Sequence, residues 1–398
     1  MLFALIALLW ILALVAARAM EADSSQRLDV PESLRPSVPL PAVDVVIPAR
    51  DEEGNIAALL ESLLALDHRP ARILVVDDQS TDGTAAIIET FRARDPRVEA
   101  IAGSGPPQGW HGKPAALVAG YSKTTAPWVL FIDADVRLAP PALRAALEEV
   151  HRRHWQGISL WGRWIVPDVR ARWLQSVVGG FIRGAHPLPR VNDPEKPDAF
   201  LNGQFLLIER AAYDALGGWA SVKDSFGMED VALARLAKSR RVPIGLLRAP
   251  ELMSVVPYRS LGEVWHGYLK NFVDGAGGSG RALGAAAAVF VAAVLPFLTV
   301  VIALVVATVR LLASGTTGER STMIVAAVLG DPRTLAAAIA CVAALIFRAG
   351  TARLFHHPRG DAFAHPIANA MFVALILEAV WLKSQGRSAA WKGRGSAA

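Results

Sequence analysis

An α/β fold with a mainly parallel sheet, joined to apolar helices at both ends of the chain, is predicted by three observations. Short apolar runs alternate with segments of helical periodicity from Val43 onward. Apolar residues crowd the first twenty positions and everything after about Arg281, in a chain of 398 residues that is 53% hydrophobic. Its mean hydropathy is +0.34. Finally, Asp133 and Asp135 end the apolar run Trp128 to Ile132. Residues i and i+2 of an extended chain point the same way. Both carboxylates therefore suit one hard divalent cation, which prefers oxygen ligands and commonly carries a diphosphate.

The elements follow in order. Met1 to Ala17 is continuously apolar and about long enough to cross a bilayer at a rise of about 1.5 Å per residue. No basic residue precedes it, so residues 1–20 read as an anchor, although Ala17-Arg18-Ala19 resembles a small-residue cleavage site. Residues 21–42 are polar with four prolines, a linker. Residues 43–274 form the soluble domain. Val43 to Pro48 reads as a strand, and Glu53 to Leu66 as a helix through Ile56, Leu59, Leu60, Leu63 and Leu64. Arg72 to Val76 is the next strand and Thr84 to Arg94 the next helix. Ligands of such sheets bind outside the carboxyl ends of the strands. The polar clusters Ala49 to Glu53, Asp77 to Asp82 and Asp133 to Asp135 all follow strand ends, so one rim gathers them.

The Gly-rich tract Asp274 to Gly284 leads into a C-terminal membrane region, 275–398. Ala282 to Val309, with Pro296, suits a tilted or kinked crossing. Thr334 to Phe347 is short unless extended back through Met323 to Gly330, and Pro366 to Leu382 carries Glu378. Two or three C-terminal crossings are expected. Arg281, Arg348, Arg353 and Arg359 suit the cytoplasmic side, while the basic tail from Lys383 to Arg394 competes.

Composition excludes other classes. The formal charge of +5 comes without an interleaved aromatic and basic stripe, so the expected partner is a lipid bilayer and not a nucleic acid. The single Cys341 excludes an internal disulfide, and the nine histidines show no zinc spacing.

Three segments carry the chemistry: Pro48-Ala-Arg-Asp-Glu-Glu-Gly-Asn55, Val75-Val-Asp-Asp-Gln-Ser-Thr-Asp-Gly-Thr84 and Phe131-Ile-Asp-Ala-Asp135. In this order and spacing they resemble the family 2 glycosyltransferases, over roughly Val43 to Asn271. The resemblance implies a GT-A fold, a nucleotide-sugar donor such as a UDP-sugar, Mg2+ or Mn2+, and inversion at the sugar carbon. It implies that Pro48, Ala49, Arg50, Glu52, Asp77 and Asp78 hold the base and ribose, where carboxylates accept from N–H and hydroxyl groups. Helix capping suits Asp82 better. It assigns Asp133 to both nucleotide and metal, and Asp135 to the metal.

Gly109-Trp-His-Gly-Lys113 is similar to an element of a lipid-directed subgroup that includes hopene-associated, carotenoid and ceramide glycosyltransferases. There Lys113 sets an ammonium beside a diphosphate. Phe200 to Ile208 is a strand-like run interrupted by Asn202, Gly203 and Gln204; it resembles the acceptor-side strand, with Gln204 at the substrate. Gly227-Met-Glu-Asp230 resembles the motif whose aspartate is the catalytic base, which makes Asp230 the base and Glu229 its support. Trp265, His266 and Lys270 suit contacts with diphosphate or acceptor, and equally an amphipathic interfacial helix. Each role has a bland alternative: a surface lysine, a packing Trp110, a strand amide at Gln204, first-turn acidity at Asp230.

The expectation is an integral cell-membrane enzyme whose cytosolic domain moves one sugar to a lipid hydroxyl. The absence of Gln-x-x-Arg-Trp downstream argues against a polysaccharide synthase. A polyprenyl-phosphate sugar transferase and a noncatalytic nucleotide-sugar-binding protein are the other readings.

Overall fold

The computed structural model describes residues 1–31, 39–110, 112–225, 228–269, 272–313, 326, 330–352 and 356–385. Lys270 therefore lies outside the described residues, as do most of Met323 to Gly330 and the tail from residue 386. The chain divides into two compact units, one of Ser24–Ile165 with Ile182–Pro257, the other of Met1–Asp23, Val166–Phe181 and Tyr258–Ala389.

The first unit holds ten strands: β1 (Val43–Ala49), β2 (Arg72–Asp77), β3 (Val98–Ala102), β4 (Trp128–Ile132), β5 (Val136–Leu138), β6 (Gly157–Trp161), β7 (Arg163–Trp164), β8 (Phe205–Glu209), β9 (Ile244–Arg248) and β10 (Met253–Val255). Seven form one sheet in the order β3-β2-β1-β4-β8-β6-β9. Only β8 runs antiparallel to its neighbours, β4 and β6. The mainly parallel sheet expected from strand–helix alternation is present. The one reversed strand has a consequence for function: the start of β8 lies on the same rim as the carboxyl ends of β1, β2 and β4. A second sheet, β5-β10-β7, follows directly from Asp135.

Alternation explains why β1 is buried on both faces. Val43, Val45 and Ile47 pack into one core with Ile56, Leu59, Leu60 and Leu63 of the helix Ile56–Leu64. Val46 faces a second core with Phe131, Leu206, Tyr213 and Trp219. Asp44, fully buried in the same strand, is anchored by its Oδ2, which accepts from Thr125 N at 2.6 Å and Ala126 N at 2.9 Å in the turn entering β4. The helix Gly112–Tyr121 carries Lys113 and lies against β1 and β2 through Gly120. A Cβ on Gly120 would stand 2.4 Å from Val46 Cγ1 and 3.0 Å from Val76 Cγ2.

The second unit is helical. Among the described residues four helical segments are long and apolar enough to cross a membrane: Leu2–Ala22, Ser279–Ala313, Pro332–Thr351 and Arg359–Ser384. Leu2–Ala22 packs along Pro332–Thr351 through Ile6, Ala7, Ala340 and Ala343, the small side chains that close helix contacts in lipid require. Glu378, the charge that weakened the last segment, accepts from Trp265 Nε1 at 2.8 Å.

Gly120→Ala tests the seat of the Lys113 helix. Alanine gains about 1 kcal/mol in helix propensity, but the contact with a fully buried Val46 forces an overpacking cost of about 1–3 kcal/mol. Thermal unfolding of the full chain in detergent should show a lower Tm, with a larger drop for Gly120→Val. An unchanged Tm for both would remove this packing from the account.

Candidate functional site

Two loops on the rim are laced together by hydrogen bonds. Arg50 Nη1 donates to Asp78 O at 3.0 Å, Asp51 N to Ser80 Oγ at 3.0 Å and Glu52 N to Thr84 Oγ1 at 2.8 Å. Thr81 N in return donates to Asp51 Oδ1 at 2.7 Å. Asp51 (φ 50°) and Gln79 (φ 60°) both adopt the left-handed region that non-glycine residues rarely occupy, one in each loop. Pro48 and Ala49 sit in register with Val76 and Asp77, and Asp78 N donates to Ala49 O at 2.8 Å. All six residues assigned to nucleotide contact thus belong to one joined wall.

Within that wall the individual roles separate. Asp82 Oδ1 accepts from Thr84 N at 3.0 Å at the start of the helix Thr84–Arg94, and its Oδ2 accepts from Glu53 N at 3.1 Å, so it adds a further tie between the two loops. Asp77 Oδ1 accepts from Ser80 N at 3.0 Å, which leaves its second oxygen for a ligand. Asp78 is 5% exposed and its carboxylate stands 3.9 Å from Arg50, a packing position more than an open one.

Lys113 and the carboxylates form the centre. Lys113 Nζ lies 2.7 Å from Asp133 Oδ2, both side chains about a quarter exposed. Asp133 N donates to Gln204 O at 3.2 Å where the end of β4 meets the start of β8. Gln204 Nε2 reaches Asp135 Oδ2 at 3.5 Å, a weak contact, and Gly203 N donates to Asp230 Oδ2 at 3.1 Å. The segment 202–204 therefore touches both Asp135 and Asp230. It is itself pinned by Ser159, which exchanges hydrogen bonds with Asn202 at 2.9 and 3.0 Å.

Electrostatics follow from this crowding. Burial works against the Lys113 ammonium, but Asp133, Glu229 and Asp230 outweigh it and hold the group above the usual lysine range. Burial, then the fields of Asp133 and Glu52, pushes the Asp135 carboxyl up to about 7, with Lys113 pulling the other way. Burial, then Glu229, raises Asp230 to about 6, against Lys113 and the bonds from Gly203 N and Val231 N. Asp135 Oδ1 is buried without a hydrogen-bond partner. Among the described residues no three His, Cys, Asp or Glu side chains close around a single point. Asp133 and Asp135 fit a cation that takes one or two carboxylates and completes its shell with phosphate oxygens and water.

His266 lies in the helical unit, exposed, with Nδ1 2.8 Å from Gly262 O of its own helix. Sequence reasoning missed the coupling of Gly203 to Asp230. Its signal was the glycine itself, since a Cβ there would stand 3.2 Å from Asp230 Oδ2.

Comparison with known proteins matches residues 44–215 to the model of glycosyl transferase family 2. Beta-monoglucosyldiacylglycerol synthase of Synechocystis sp. is 28% identical over 227 residues, 52% of this chain and 43% of that protein. The 4,4'-diaponeurosporenoate glycosyltransferase of Staphylococcus haemolyticus is 34% identical over 118 residues, 29% of this chain and 30% of that protein. The matched part thus spans less than half of either relative. A solved mannosyltransferase of Pyrobaculum calidifontis, in complex with GDP-Man and Mn2+, is 18% identical and covers 96% of this chain and 99% of that one, at a TM-score of 0.47.

The raised Asp135 pKa has a sign that stability can read. A carboxyl raised in the folded state is destabilising above that pKa and loses this effect as pH falls toward its unfolded value. Asp135→Asn should therefore raise the Tm of the ligand-free chain at pH 8, by a margin that shrinks toward pH 5. Equal shifts at both pH values would contradict the assigned burial of charge.

Proposed function

We propose, from the match of residues 44–215 to the model of glycosyl transferase family 2, that this chain moves a sugar from a nucleotide-diphosphate donor to a lipid hydroxyl with inversion at the sugar carbon. The convergence of Lys113, Asp133, Asp135 and Asp230 on the rim between β4 and β8 carries the reading.

The laced loops hold the nucleoside of a UDP-sugar. Pro48 and Ala49 supply their floor, Arg50 and Glu52 fix one side, and Asp77 with Asp78 accepts from the base or ribose. Asp135 and Asp133 would hold a magnesium or manganese ion, which would supply Lewis-acid neutralisation of the departing diphosphate. Lys113, opening its helix, adds an ammonium on the same side.

Asp230 takes the proton of the acceptor hydroxyl as that oxygen attacks the sugar carbon opposite the diphosphate. A carboxyl near 6 is a stronger base than an ordinary aspartate and is still mostly ionised at neutral pH. The bond from Gly203 N aims its Oδ2, Glu229 raises its basicity, and Gln204 lies toward the acceptor. His266 and Lys270 are acceptor-side contacts in this reading. Support for a lipid acceptor comes from relatives whose names specify a glucosyldiacylglycerol product and a diaponeurosporenoate substrate. The four apolar helical segments support an integral membrane protein; in this reading its catalytic unit faces the cytosol.

Purified full-length chain, incubated with labelled UDP-sugar, Mn2+ and an extracted lipid pool, should yield labelled glycolipid. Donor hydrolysis without lipid product would refute the acceptor assignment. Asp230→Asn should lower kcat by on the order of 10²–10⁴ while donor affinity stays. In the wild type kcat should rise as pH passes through about 6. A noncatalytic binding protein would show neither turnover nor this profile.

A further inference from the structure

We propose that the helical unit contains a binding site for the phosphate group of an anionic membrane lipid, built around Arg348. Arg348 lies in the last turns of Pro332–Thr351 and is 9% exposed. Its Nη2 donates to Trp173 O at 3.2 Å and to Ser176 Oγ, and among the described residues no carboxylate lies within ion-pair distance of it. A buried cation without a counter-anion is costly in an apolar surrounding, and an ionisable group inside a membrane region marks a site.

The surroundings are suited to an anion. Arg348, Ser176, Thr351, His357 and Asp361 line a cleft of about 230 Å³ including its open mouth. Its enclosed depth admits little more than one water, so a single phosphate oxygen enters while the rest of the group stays at the mouth. Asp361, the one acid in the lining, is already engaged by Arg172 through two bonds of 2.6 and 3.2 Å. Two guanidinium groups, Arg348 and Arg172, face the single carboxylate of Asp361, which leaves the cleft a net positive charge. Burial, then the fields of these two arginines, pushes the His357 imidazole down to about 4, so it stays neutral beside them.

Apolar neighbours choose a lipid over free phosphate. Beside the cleft, Phe363 and Ile367 are 79% and 54% exposed on the segment that carries Asp361. A polar cleft beside these exposed apolar side chains fits a headgroup with its acyl chains.

Native mass spectrometry and thermal unfolding of the full chain test the site in nanodiscs of phosphatidylcholine alone or with phosphatidylglycerol. The wild type should retain phosphatidylglycerol and melt higher in its presence. Arg348→Met should reduce that retention roughly tenfold, the order expected for lost charge-assisted bonds. Its Tm in phosphatidylcholine should hold or rise, because an uncompensated charge has gone. Should Arg348→Met fail to fold, Ser176→Ala, which keeps the charge and removes one lining hydroxyl, should still weaken retention. The site is overturned if the wild type does not prefer phosphatidylglycerol, if the variants keep the preference, or if inorganic phosphate alone gives the same shift in Tm.

Discussion

The ion pair between Lys113 and Asp133 is the interaction on which the rim of the catalytic unit depends. Asp133, Asp135, Glu229 and Asp230 bring negative charge to one place, and Lys113 is the cation the structure sets among them. One ammonium cannot balance this group. Burial, and after it this excess, raises the pKa of the two carboxyls that lack the ammonium as a direct partner, Asp135 and Asp230. A site poised in this way gains from any ligand that brings a divalent cation together with a diphosphate. The cation takes the exposed carboxylate oxygens, and the diphosphate takes the ammonium.

Backbone groups share in holding that balance. β8 runs against its neighbours, so its first residues rise beside the ends of β4 and β6. Gly203 N and Gln204 O then reach Asp230 and Asp133 from one short segment. Ser159 and Asn202 fix that segment to β6. The carboxylate that would take a proton and one that would meet a metal are thus contacted by the same short segment.

Much of this was legible in the sequence, for a physical reason. β1, β2 and β4 are short apolar runs cut off by polar loops, and period and punctuation are local properties. Asp82 shows both sides of this: its contact with Thr84 is two positions away and local, while its bond from Glu53 N joins two distant loops. What sequence could not supply were relations between distant segments. Gly203 with Asp230, Glu52 with Asp135, and Trp265 with Glu378 are pairings fixed only by the fold. Glu378 illustrates the limit well: read alone it weakens a membrane segment, and paired with an indole N–H it becomes tolerable there.

The two units solve opposite versions of one problem. In the catalytic unit, negative charge exceeds its compensation and the balancing partner is a metal with its donor. In the helical unit Arg348 is the group in excess, since Asp361 already serves Arg172. The rim of the catalytic unit is partly open to solvent, which screens its imbalance between turnovers. In the proposed membrane setting the helical unit has no such screening, so it must hold its counter-anion throughout. The difference in solvent argues for a ligand exchanged in each catalytic cycle at the first site and for a resident lipid at the second.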